Sequence, residues 1–285
     1  MTPRPERRLR LVIFDLDGVV YRGLQPIPGA ARVIGGLHAR GALVRYATNN
    51  SMATREAYVE RLAAMGVRAA TAEIVTSTSA TVGYLRHHLP DVRRVLAVGS
   101  PAMISELRAA GLEVIPVEEV AHVGYQGESL ADPPDTVVVG LDQAYDYQRI
   151  AVAATAVRDG AAFIATNADL RYPTSRGFLP GAGSLVAAIS AASGGIEPIV
   201  VGKPEPTMFL EILEDAGVEP EAAAVVGDNP DSDILAAHRS GVFSVLILTG
   251  VADAEAAERL SGEREPDLVV GDHAELGRLF EKWLR

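Results

Sequence analysis

No cysteine occurs among the 285 residues, which excludes disulfides, thiolate nucleophiles and thiolate metal sites. Basic charge is also short. Lysine and arginine number 26 against 37 acidic side chains, for a net charge of −11, a balance that does nothing to recruit DNA or an anionic membrane surface. No apolar run approaches the roughly 18 residues of a membrane span. The basic start "MTPRPERRLR" is followed by a hydrophobic run too short and too soon broken by Asp15 for a signal peptide. The expectation is a cytoplasmic protein with neither nucleic acid nor membrane as partner. Low hydrophobicity is not among the deficits: 48% of residues are hydrophobic and 22% charged, a composition that folds, and the length suits about two domains.

Short β-branched runs recur along the chain: "LRLVIF", "ALVRYA", "RVLAV", "LEVIPV", "TVVVG", "AAFIA", "EPIVV", "AAVVG" and "FSVLIL". Between them lie helical patterns such as "TREAYVERLAAMGV" and "EPTMFLEILEDAG". Pro206 suits a first turn there, and Gly66 and Gly217 suit stops. Strands alternating with helices argue for an α/β fold with parallel sheets covered on both faces.

Some of these strand-like runs finish in chemically competent polar residues: Asp15 and Asp17, then Thr48 to Asn50, then Lys203, then Asp228. Ligands in open parallel sheets bind beyond the carboxyl ends of the strands. The runs between about residues 94 and 166 do not end this way, which suggests a middle α/β domain over 79–195 inserted between core segments 1–78 and 196–285. Asp15 and Asp17, two apart in an extended segment, point to one side. If Asp228 joins them, each like-charge pair near 4 Å costs about 4 kcal/mol at an effective dielectric near 20, so a cation or a proton must sit among them. Oxygen-only ligation points to Mg²⁺. Taken singly, each motif also has a plain structural reading, as a turn, a helix cap or a surface lysine. Asp272 in "VVGDHAEL" is a decoy for Asp228 in "VVGDNPDSD", which is set apart by a second aspartate, Asp233, five residues on.

In order, Asp-x-Asp-Gly-Val, Thr-Asn-Asn, Gly-Lys-Pro and Gly-Asp-Asn-x-x-Ser-Asp resemble the four motifs of the haloacid dehalogenase (HAD) superfamily. "DLDGVVYRG", "TNADLRYPTSRGFLPGAGSL" and "GKPEPTMF" resemble its 4-nitrophenylphosphatase or NagD-like branch over nearly the whole chain. The resemblance implies a Rossmann-like core with an inserted α/β cap. It implies a Mg²⁺-dependent phosphatase that hydrolyses a small phosphorylated metabolite through an aspartyl phosphate. Asp15 would be nucleophile and Asp17 general acid and base. Thr48, Asn49 and Asn50 would hold phosphoryl oxygens, with Lys203 neutralising them. Asp15, the Asp17 carbonyl and Asp228 would hold the metal, with Asp233 behind them. Pro230 departs from the family, which more often has a bulkier apolar residue there. The segment 167–183 matches the substrate-specificity loop, with Tyr172 foremost and Asn167, Asp169, Arg171 and Arg176 as weaker candidates for meeting the leaving group. An exposed apolar cap surface could support a homodimer. The competing readings are a phosphotransferase of the same superfamily, a receiver-like signalling protein and a non-catalytic phosphoryl-binding protein; Asp17, a proton donor that receivers lack, argues against the second.

Overall fold

The computed structural model describes residues 5–121, 125–174 and 177–284; Arg176 lies outside them. The chain divides into two compact units. One comprises residues 1–48, 55–75 and 203–285, the other 49–54 and 76–202. The chain therefore crosses between units four times, at 48/49, 54/55, 75/76 and 202/203; the boundaries expected from the sequence are 78/79 and 195/196.

The first unit is built on a six-stranded sheet in the order Leu268–Val270, Phe243–Ile247, Ala223–Gly227, Leu11–Asp15, Leu43–Thr48, Ile74–Thr76. Strand Leu11–Asp15 lies at its centre, parallel to both neighbours, with Leu11 opposite Ala223 and Leu43. Its first four side chains are fully buried, which is why the run lacks the apolar–polar alternation of a half-exposed strand. From this strand the chain builds outward to one side, then returns to build on the other. The order reverses between Leu11–Asp15 and Ala223–Gly227, the switch point where open α/β sheets leave a crevice.

Helices cover the sheet. In Thr207–Ala216 the residues Met208, Phe209, Ile212 and Leu213 are buried at helical spacing, and Gly217 closes the helix in the left-handed conformation at φ 59°. Helix His273–Trp283 starts from Asp272, whose side chain accepts a hydrogen bond from Glu275 N at 2.8 Å. The decoy acid is thus a helix cap.

The second unit has a five-stranded sheet in the order Ile199–Val200, Ala162–Ala165, Thr136–Val139, Arg94–Val98, Glu113–Pro116, with parallel pairing throughout. Its core packs Leu96, Val137, Val139, Val152, Leu185 and Ile189 between sheet and helices. Segment 167–183, expected as a loop, instead contains an antiparallel hairpin of Arg171–Thr174 and Gly177–Pro180 that pairs Tyr172 with Leu179. Pro173 suggested a loop, yet both strands of a two-stranded ribbon are edges, where proline is tolerated.

Candidate active site

Asp15 is the last residue of the central strand, and Asp228 follows directly on strand Ala223–Gly227. The two carboxylates therefore emerge side by side at the switch point. Lys203 bridges Asp15 to a third acid: its ammonium lies 2.6 Å from Asp15 Oδ1 and 2.6 Å from Asp233 Oδ1, and 3.4 Å from the Ala47 carbonyl. Asp233 is presented by the wide helical turn Pro230–Ile234, and its second oxygen accepts the Asn229 N–H at 3.1 Å. Asp15 Oδ2 accepts no hydrogen bond among the described residues.

Asp228 is gripped by backbone. Its Oδ2 accepts the Val251 N–H at 2.6 Å, and its carbonyl accepts from Ala252 N at 3.1 Å. Two glycines make room. A Cβ on Gly250 would fall 1.8 Å from Asp228 Oδ2, and one on Gly18, where φ is +81°, would fall 2.1 Å from the same atom, so no side chain fits at either place without moving the acid. Thr249 ties these pieces together by donating its hydroxyl to the Gly18 carbonyl at 2.7 Å. The sequence reading missed the Thr249–Val251 segment. Its only signal is a Thr-Gly pair just after the run "FSVLIL".

Oxygen atoms of Asp15, Asp228 and Asp233 can all lie within 4.8 Å of one another. Against three carboxylates stands one ammonium, so full ionisation leaves an excess of about two negative charges in a buried pocket, a costly arrangement. The titration behaviour reflects it. Burial pushes the Asp15 carboxyl well above its ordinary range, with Lys203 opposing and Asp233 and Asp228 adding to the rise. Burial, then Asp233, pushes Asp228 up to about 7. Burial alone would lower Lys203, but Asp15 and Asp233 outweigh it and its pKa is raised. A hard divalent cation fits this site on two counts, an all-oxygen donor set and a deficit of positive charge.

The other expected site residues are distributed as follows. Asp17 is exposed and its carboxylate stands outside the converging cluster; desolvation by the surrounding chain raises its pKa, with the Gly23 backbone and Arg61 opposing. Thr48 ends the strand Leu43–Thr48 that flanks Asp15, and is buried. Asn49, Asn50 and Tyr172 belong to the second unit. There Asn49 donates to Asp169 Oδ2 at 3.0 Å, while its carbonyl accepts from Asn167 Nδ2 and Ser77 Oγ. Asn50 Oδ1 accepts the Met52 N–H at 2.7 Å, and Tyr172 sits half-buried in the hairpin.

A doubly wound parallel sheet with acids and a lysine at its switch point places the protein among α/β enzymes. Comparison with known proteins narrows that class. A family model described as haloacid dehalogenase-like hydrolase matches residues 12–113, and a second HAD-hydrolase-like model matches residues 200–276. An acid sugar phosphatase of Staphylococcus aureus is 36% identical over 249 residues, covering 87% of this chain and 90% of its own length. The crystal structure of a 4-nitrophenylphosphatase from Thermotoga maritima superposes with a TM-score of 0.83 at 32% identity, covering 95% of this chain and 97% of that one. A glycerol phosphate phosphatase from Mycobacterium tuberculosis, solved in complex with magnesium, gives 0.83 at 33% identity over 98% of this chain and 79% of that one. The chain belongs to the haloacid dehalogenase-like hydrolases, in their NagD-like phosphatase branch.

Proposed function

We propose that the protein is a Mg²⁺-dependent phosphomonoesterase that hydrolyses a small phosphorylated metabolite through an aspartyl phosphate on Asp15. The observation that carries this reading is the Lys203 ammonium held 2.6 Å from both Asp15 and Asp233. It fixes one Asp15 oxygen and leaves the other for phosphorus. The names of the similar proteins, acid sugar phosphatase, 4-nitrophenylphosphatase and glycerol phosphate phosphatase, support a small monoester as substrate.

In the first half-reaction Asp15 Oδ2 bonds to phosphorus as the bond to the leaving oxygen breaks, and Asp17 gives that oxygen a proton. In the second, water attacks phosphorus, Asp17 takes its proton back, and the bond to Asp15 breaks to release phosphate. Thr48, Asn49 and Asn50 donate to the phosphoryl oxygens, and Lys203 balances their charge. Asp15, the Asp17 carbonyl and Asp228 would hold Mg²⁺, which when bound supplies positive charge to the phosphoryl group. Both oxygens of Asp233 are already taken by Lys203 and Asn229, which supports a role behind the ligands. The second unit would act as the cap that selects the leaving group, with Tyr172 meeting it. No described helix is long and apolar enough to cross a membrane, and we place the enzyme in the cytoplasm.

The test is Asp15→Asn. Its turnover of 4-nitrophenyl phosphate should fall to background while its circular dichroism is unchanged, and acid-quenched wild type should carry a hydroxylamine-sensitive phosphate that the variant lacks. Wild-type turnover in the variant would remove Asp15 as nucleophile.

A further inference from the structure

A cavity of about 470 Å³ lies in the first unit between helix Ala30–Ala39 and helix His273–Trp283. Its walls are apolar where Leu37 and Phe280 contribute and cationic where Arg32, Arg40 and Arg278 do. None of these residues belongs to the site around Asp15. In a chain with net charge −11, three guanidinium groups gathered on one cavity need a reason. Arg40 has a distant carboxylate in Glu281, at 3.6 Å. The guanidinium groups of Arg32 and Arg278 are exposed and form no hydrogen bond or ion pair within 4 Å among the described residues; Arg278 is close enough to Asp272 to help lower that carboxyl's pKa.

His273, which also lines the cavity, is fully buried. Its Nε2–H donates to the Val19 carbonyl at 2.7 Å, and its Nδ1 has no partner. Burial holds the imidazole below its ordinary pKa, so Nδ1 is a bare acceptor. The structure keeps a polar atom unsatisfied at this place, a cost of about 1–3 kcal/mol, beside a cavity large enough for a small molecule. Val19 lies two residues beyond Asp17. The imidazole is therefore a direct strut from the cavity to the loop that carries the second acid of Asp-x-Asp.

We propose that this cavity is a second, regulatory site for an organic phosphate: the phosphate rests on Arg32 and Arg278, and the organic body lies against Leu37 and Phe280. Arginine pairs suit phosphate because their planar donors match its oxygens two at a time. The volume and the apolar wall favour an ester over free phosphate. Occupancy acts on turnover through His273 and the Val19 carbonyl. This reading stands whether or not Asp15 is the nucleophile.

The molecule carries its own reporter. Its single tryptophan, Trp283, packs edge-on against Phe280 at 5.6 Å, and Phe280 lines the cavity. The full-length protein is titrated with butylphosphonate, which cannot be hydrolysed, and separately with inorganic phosphate, while Trp283 fluorescence and 4-nitrophenyl phosphate turnover are followed. The comparison protein is the double variant Arg32→Ala/Arg278→Ala, whose exposed positions leave folding and basal turnover intact. The expected result is a saturable fluorescence change, tighter for the phosphonate than for phosphate, weakened at least tenfold in the double variant. It is accompanied in wild type alone by a change in kcat, which competition at the active site cannot produce. A non-saturable change, or one that the double variant keeps, overturns the site. Tighter binding of inorganic phosphate overturns the organic ligand, and binding without a change in kcat overturns the regulation.

Discussion

Lys203 is buried with carboxylates on two sides, and its removal strands them. Lys203→Met should destabilise the metal-free protein by about 3–5 kcal/mol at pH 8, as loss of one partner of a buried ion pair does. The loss should shrink at pH 5, where Asp15 can take a proton instead; urea denaturation at the two pH values measures it. Asp228 makes a separate prediction. Its pKa rises on folding from 3.8 to about 7, so between those values the folded state binds more protons than the unfolded one. Stability of the metal-free protein should therefore be fully supported below about pH 4 by this group and should fall as pH rises through 7. Asp228→Asn should flatten that fall in thermal melts. Mg²⁺, which competes with the proton for the same oxygens, should raise Tm more at pH 8 than at pH 5.5. These residues were legible in the sequence as chemically competent ends of apolar runs. The backbone grip of Thr249–Val251 on Asp228 was not, because a Thr-Gly pair is ordinary turn chemistry until its N–H is seen to meet a carboxylate.

Elements explain why two acids after identical Val-Val-Gly runs fare so differently. Asp228 follows Ala223–Gly227, next to the central strand, whereas Asp272 follows the edge strand Leu268–Val270 and caps a helix. Asp272→Ala should cost about 0.5–2 kcal/mol of stability and leave kcat for 4-nitrophenyl phosphate unchanged. Asp228→Ala should abolish that turnover at any Mg²⁺ concentration tested. Equal kinetic effects of the two would undo the distinction. The long apolar strands and the helix between Pro206 and Gly217 could be read from periodicity and stop residues. The edge strands Ile74–Thr76 and Leu268–Val270 could not, since three residues carry too little pattern. The hairpin Arg171–Pro180 was hidden by Pro173 and by glycines that also suit a loop.

At the scale of the molecule, a phosphoryl group is common to every candidate substrate, so the residues around Asp15 cannot choose among them. In the proposed reading choice falls to the second unit, with Tyr172 as the side chain that makes it. Tyr172→Ala should change the ratio of kcat/KM between a sugar phosphate and glycerol phosphate by about tenfold, within what one pocket contact provides. Hydrolysis of a preformed aspartyl phosphate should proceed at the wild-type rate. A variant that slows all substrates equally would place Tyr172 outside selection.

By itself the sequence determined the class of the protein. Buried strands need apolar runs, phosphoryl chemistry needs particular acids and a lysine, and both kinds of requirement are local enough to be written in order along the chain. Only the tertiary structure decided that Asp272 caps a helix, that Lys203 spans Asp15 and Asp233, and that arginines from the two ends of the chain gather on one cavity. Those outcomes depend on distances between segments far apart in sequence, which are set by strand order and packing and by no single segment's composition.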